Sequence, residues 1–187
     1  TFDGGAGVNT LTVNTNGTGV VDADFRGFSL VQTLIVDAGG NTMVTGDIAK
    51  AAGIVTVTGG SGADAITLHD GITTFTTGSA GADVLTIDTD YDTGLTIATA
   101  ASSTDFAVDL IGMQNAAASW GSAEGNLAAV NAADEWFVSF SGTTATLSVW
   151  NENLATPAVS TITLTGVNGT TGVAAHSTSG YLTADVA

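Results

Sequence analysis

Gly59-Gly60-Ser61-Gly62-Ala63-Asp64-Ala65-Ile66-Thr67 decides how the rest of this chain is read. It follows the nine-residue pattern Gly-Gly-x-Gly-x-Asp-x-apolar-x at every position: a glycine turn, an acid, then the entry to a strand. Two weaker copies flank it. Gly4-Gly5-Ala6-Gly7-Val8-Asn9-Thr10-Leu11-Thr12 has Asn9 where the acid stands, and Gly78-Ser79-Ala80-Gly81-Ala82-Asp83-Val84-Leu85-Thr86 has Ser79 for the second glycine. One match among 25 glycines could arise by chance, whereas three matches indicate a repeat.

The residue types suit one chemistry. Glycine takes positive φ without strain, so a tight loop can turn its carbonyl oxygens inward. Calcium is a hard cation that takes about six to eight oxygen ligands, and turn carbonyls plus an Asp carboxylate supply them. The closing x-apolar-x enters a strand that sends one side chain to the core and its neighbours outward. Two nine-residue units make a coil of about 18 residues. Asp64 and Asp83 are separated by one such coil with a single residue inserted. Their turns should therefore stack on one edge, with a calcium ion between them. The first copy of the motif stands three such coils and one further residue before the second. Turns are then expected near Asp22 and near Gly39-Gly40-Asn41.

These motifs resemble those of the repeats-in-toxin (RTX) β-roll family, which includes calcium-dependent bacterial surface-layer proteins. The resemblance implies an all-β fold: a parallel β-roll, or β-solenoid, with calcium-binding turns, followed by a β-rich C-terminal cap. It implies Ca2+ held by Asp64, Asp83 and the backbones of Gly59, Gly60, Gly62, Gly78, Ala80 and Gly81, with Asn9 at the degenerate first copy. It also implies a non-enzymatic structural segment of a secreted bacterial surface protein, extracellular at the cell surface, that folds and assembles into a lattice on binding calcium. The alternative is the C-terminal tail of an RTX exoenzyme or adhesin whose active domain lies upstream.

Composition bounds the function classes. Eighteen acidic residues stand against Lys50 and Arg26, for a net charge of -16. Such a chain does not neutralise nucleic-acid phosphates and is not drawn to an anionic bilayer. It favours cations, without which self-repulsion works against the compact state. Residues 1–104 hold eleven Asp and no Glu. Short carboxylates suit ligation inside tight turns, and they also favour turns in their own right. There is no Cys, hence no thiolate metal site. No apolar run reaches the length of a transmembrane helix. The chain begins at Thr1 without a basic-then-apolar leader and reads as a segment of something larger.

Two regions are expected, a calcium-binding roll over 1–104 and a cap over 105–187. In the first, Leu11-Val13, Leu34-Val36, Ile54-Val57, Ile66-Leu68, Leu85-Ile87 and Leu95-Ile97 alternate as half-buried strands do. Each is too short to stand alone, and stacked coils give it a neighbour on both sides. Residues 47–52 suit one helical turn. The second region holds all three Trp and seven of the twelve aromatics, as suits a less repetitive core that closes the last coil. Residues 115–133 read as helix or loop, and Trp136-Ser141, Ala145-Asn151 and Ser160-Gly166 as antiparallel strands.

Other constellations are weaker. Asp88, Asp90 and Asp92 alternate in a loop like the opening of an EF-hand, but Gly94 falls one place late and Thr99 replaces the closing Glu. They suit a calcium turn on the opposite edge, or an acidic loop held by Asx-turns. His69 and His176 form no zinc motif, Ser61 and Ser79 lie in no nucleophile elbow, and Lys50 lies in no phosphate loop. Trp120, Trp136 and Trp150 could stack on sugars, so cell-surface polysaccharide is a further partner to consider. An ice-binding face would need ranks of Thr-x-Thr, and the nine-residue units show no sustained Thr-x-Thr register.

Overall fold

Three- and four-residue strands bury too little surface to persist singly, so the pairing of these runs determines the architecture. The computed structural model describes residues 1–14, 19–36, 39–78, 81, 83–87, 94–98, 106–109, 124–133, 135–152, 154, 156–167, 173–175 and 181–184. In chain order its strands are β1 (Phe2–Asp3), β2 (Thr10–Val13), β3 (Phe28–Ser29), β4 (Thr33–Val36), β5 (Thr42–Val44), β6 (Thr56–Thr58), β7 (Ala65–Leu68) and β8 (Thr74–Thr76). They continue with β9 (Val84–Ile87), β10 (Leu95–Ala98), β11 (Phe106–Asp109), β12 (Trp136–Ser141), β13 (Thr144–Asn151), β14 (Ala158–Thr165), β15 (Val173–Ala175) and β16 (Tyr181–Ala184).

The fold is all-β and built on parallel sheets. From β4 to β11, successive strands alternate between an eight-stranded sheet, ordered β12-β13-β14-β10-β8-β6-β4-β2, and a six-stranded sheet, ordered β15-β16-β11-β9-β7-β5. Pairing is parallel from β2 through β10 to β14, and from β5 through β11. It becomes antiparallel where β12 and β13 join the first sheet and β15 and β16 the second. The expected antiparallel strands are therefore present. The strands on both sides of residue 104 share the same sheets: β11 pairs with β9, and β14 with β10.

Alternation along each strand places the core between the sheets. Leu34, Val57, Phe75, Ile97 and Leu164 line one side of it, and Met43, Ile66, Leu85 and Val108 another, all essentially inaccessible to solvent. At the N-terminal end the core opens into a cavity of about 390 Å³ lined by Leu11, Val13, Val20, Phe25 and Phe28, beside the edge strand β2.

Most circuits are longer than two nine-residue units. Leu11, Leu34, Val57, Phe75 and Ile97 succeed one another in register at intervals of 23, 23, 18 and 22. Met43, Ile66, Leu85 and Val108 do so at 23, 19 and 23. The extra residues are accommodated between strands. The expected helical turn forms as α1 (Asp47–Ala52), inserted between β5 and β6. A 3-10 turn at Asp22–Phe25 precedes β3. Asp22 accepts N–H from Gly46, Ile48 and Ala49 at 2.8, 3.1 and 2.8 Å and so satisfies the start of α1. Asp22 thus caps a helix instead of opening a roll turn.

The unequal intervals also bring threonines of different strands into line. Register aligns Thr10, Thr33, Thr56, Thr74 and Thr96 in one line across five strands, a rank that a constant nine-residue spacing conceals.

Candidate metal site at the stacked glycine turns

Three turns lie side by side because the strands they feed are paired. Asn41, Asp64 and Asp83 each stand one residue before β5, β7 and β9, and all three are at most 2% exposed. The parallel ladder runs into the turns, with Ala65 N–H donating to Asn41 O and Val84 N–H to Asp64 O, both at 2.8 Å. Each carboxylate repeats one pattern. Asp64 Oδ1 accepts the Asn41 N–H at 2.8 Å, and Asp83 Oδ1 accepts the Asp64 N–H at 3.0 Å. The other oxygen closes its own turn: Asp64 Oδ2 accepts from Gly60 at 2.8 Å, and Asp83 Oδ2 from Gly78 at 3.4 Å. Asn41 Nδ2 donates to Asp64 Oδ1 at 3.1 Å and to Gly39 O.

The glycines serve this stacking mainly by having no side chain. A Cβ on Gly78 would fall 1.3 Å from Gly60 O, and one on Gly62 2.2 Å from Gly40 N. Of the turn glycines at 59, 60, 62, 78 and 81, only Gly81 has positive φ, at 92°. The requirement at Gly59, Gly62 and Gly78 is close approach of backbones, a reason the sequence pattern did not distinguish from conformational freedom.

The structure separates Asn9 from this column. Asn9 precedes β2 of the eight-stranded sheet, not a strand of the six-stranded one. Its Nδ2 donates to Gly5 O, Gly7 O and Leu30 O at 3.2, 3.4 and 2.9 Å, and its N–H to Gln32 Oε1 at 2.8 Å. The longer circuits put the first motif on the other side of the molecule. Asn41, which sequence reasoning placed only in a generic turn, is the true third member of the column. Ala80, Asp88, Asp90 and Asp92 lie outside the described residues.

A divalent cation needs oxygen ligands and unbalanced negative charge. The column offers both: two carboxylates, turn carbonyls, and neither thiolate nor imidazole. A carboxylate has about four lone-pair positions. Among the described residues Asp64 receives three N–H donors and Asp83 two, so acceptor capacity remains chiefly at Asp83. Burial, and then the neighbouring Asp64, push the Asp83 carboxyl up to about 6. Carboxylate and carbonyl oxygens are the ligand types that calcium takes. Among the described residues no three His, Cys, Asp or Glu side chains converge, so backbone carbonyls would complete any coordination sphere.

Much of the remaining acid has turn or helix work. Asp3 accepts from Gly5 N–H, Asp24 from Val21, and Glu135 from Asn131 and Ala132. Lys50 on α1 reaches Asp70 at 2.6 Å, which holds that carboxyl below its usual range. His69 is buried with Nδ1 accepting the Gly71 N–H at 2.8 Å and, among the described residues, Nε2 without a partner, and burial lowers its pKa despite Asp70. Among the described residues no helix is long and apolar enough to cross a membrane. The chain matches no protein-family model, no curated protein and no solved structure.

Proposed function

We propose that this chain is a calcium-stabilised β-roll segment of a secreted bacterial surface protein of the surface-layer type, with a structural and not a catalytic role. The observation that carries this reading is the buried Asn41–Asp64–Asp83 column at stacked glycine turns, in a chain of net charge -16. Alternation of strands between two parallel sheets supports the β-roll, and antiparallel closure of both sheets supports a C-terminal cap.

Asp64 and Asp83 would hold the ion, together with backbone carbonyls of the turns at 59–62 and of Gly78 and Gly81. When bound, calcium supplies the positive charge that the buried carboxylates lack. The protein's own part is positional. Backbone pairing of β5, β7 and β9 brings the turns into contact, and the glycines allow that contact. Repulsion between ionised carboxylates favours the open chain where calcium is scarce, and mass action favours the folded chain where it is plentiful.

The test is a calcium titration of chelator-treated protein followed by far-UV circular dichroism and light scattering. A coil-to-β transition up to millimolar calcium, with growth in particle size, is the expected outcome. Folding on calcium without growth would assign the segment to the tail of an exoenzyme or adhesin. A fully folded chain indifferent to chelator would show that amide donors alone hold the turns, and the calcium reading would fail.

A further inference from the structure

Strand register assembles a surface that no single repeat displays. Across the eight-stranded sheet, Ser139, Thr146, Thr163, Thr96, Thr74, Thr56, Thr33 and Thr10 are successive partners, one from every strand. Two residues along, Ser141, Thr144, Thr165, Ala98, Thr76, Thr58, Ile35 and Thr12 form a second rank, interrupted twice. Thr10, Thr12, Ser139 and Ser141 are exposed and the others half-buried, while those between them in the parallel strands point to the core.

Strand propensity alone does not explain the ranks. Threonine is favoured in any half-buried strand, yet the six-stranded sheet of the same circuits places Thr42, Ala65 and Val84 at one outward position and Val44, Thr67 and Thr86 at the next. The hydroxyl rank is continuous on one sheet only. Charge lies outside the strands of both sheets, those of the six-stranded sheet carrying Asp109 alone. The strands of the eight-stranded sheet contain no Asp, Glu, Lys or Arg, although the chain carries a net charge of -16.

We propose that this threonine-ranked face binds the ice lattice. Its hydroxyls recur at roughly 4.8 Å between strands and roughly 6.7 Å along them, repeats of the same scale as those between oxygens on a face of hexagonal ice. Threonine is stiff at χ1, so the hydroxyl array loses little freedom on meeting a rigid partner. Its methyl groups order the water between the hydroxyls. An uncharged, periodic face complements an uncharged, periodic solid. A polyanion gains nothing here, and a second copy brings the same net negative charge with it.

The experiment measures thermal hysteresis and ice-crystal shaping by the purified chain, first verified as folded by circular dichroism, with calcium and with chelator. It includes Thr74→Lys and Thr56→Lys on the ranked face, and Thr67→Lys on the other sheet as control. The folded chain is expected to shape ice and hold a hysteresis gap, which both ranked-face variants lose and Thr67→Lys keeps. Folded protein without shaping or hysteresis overturns the proposal, as does equal loss in Thr67→Lys. Adsorption to crystalline cellulose or chitin without an effect on ice overturns it in favour of polysaccharide. Dimerisation abolished by Thr74→Lys, again without an effect on ice, overturns it in favour of a second copy. The ranks do not depend on what holds the turns, so a chelator-treated chain that folds and shapes ice refutes only the calcium reading.

Discussion

Replacing Asp83 by Asn separates the charge of the turn column from its hydrogen bonding. Asp83 is 1% exposed, and its carboxyl titrates at about 6 in place of 3.8. The unfolded chain releases this proton near 3.8 and the folded chain near 6, so the folded chain holds it more tightly between those values. The stability contributed by that proton is complete below the lower value and is lost as pH rises through the upper one. At about pH 7.5 without calcium, the ionised group therefore costs the fold roughly 3 kcal/mol.

Asn fits the same position, because Asn41 occupies the equivalent place two members away and donates from Nδ2 to the carbonyl of its own turn. Asp83→Asn is expected to stabilise chelator-treated protein by up to roughly 3 kcal/mol near pH 7.5, on the order of 6–12 °C in Tm for a chain of 187 residues. The advantage should vanish below about pH 4, and the variant should lose most of the stabilisation that calcium gives the parent. Urea unfolding followed by far-UV circular dichroism, at several pH values with and without calcium, measures all three. His69 titrates in the opposite sense, so the difference between variant and parent isolates Asp83. A variant less stable than its parent in chelator near pH 7.5 would refute the electrostatic account of the column.

Gly78→Ala should destabilise by about 1–3 kcal/mol or more, since its Cβ would overlap Gly60 O, while Gly125→Ala, with open space around it, should change little in the same unfolding assay. Asp22→Ala removes the acceptor for three N–H groups at the start of α1 and should cost about 1–2 kcal/mol, with faster amide exchange at Ile48 and Ala49 as its local signature. Burial lowers the pKa of His69 in the fold below the 6.5 of the unfolded chain, so the folded chain takes up this proton less readily and stability falls as pH drops through that value. His69→Asn, which keeps an acceptor for Gly71, should flatten that slope in a pH series of unfolding midpoints.

The motif at 59–67 was legible because a stacked turn makes local demands: glycine where backbones touch, an acid to take the turn's N–H groups, an apolar residue to enter the core. Those demands marked Asp64 and Asp83 as partners across one coil of sequence. The same logic misplaced Asn9, because arithmetic on a fixed period cannot register an inserted helix. It also passed over Asn41, whose turn lacks most of the motif yet whose amide sits against the Asp64 carboxylate at 3.1 Å.

The β class, the acidic character and the chemistry of the turns can be read from the chain unaided, since these follow from residue type and short-range alternation. Which turns meet, how long each circuit is and which threonines align emerge only on folding. Strand pairing is a contact between residues some twenty positions apart, and loops between strands can lengthen without changing the pattern within them. The register that joins Thr74 to Thr56 and Thr96 therefore depends on how the intervening turns and α1 pack, which no local run of residues records.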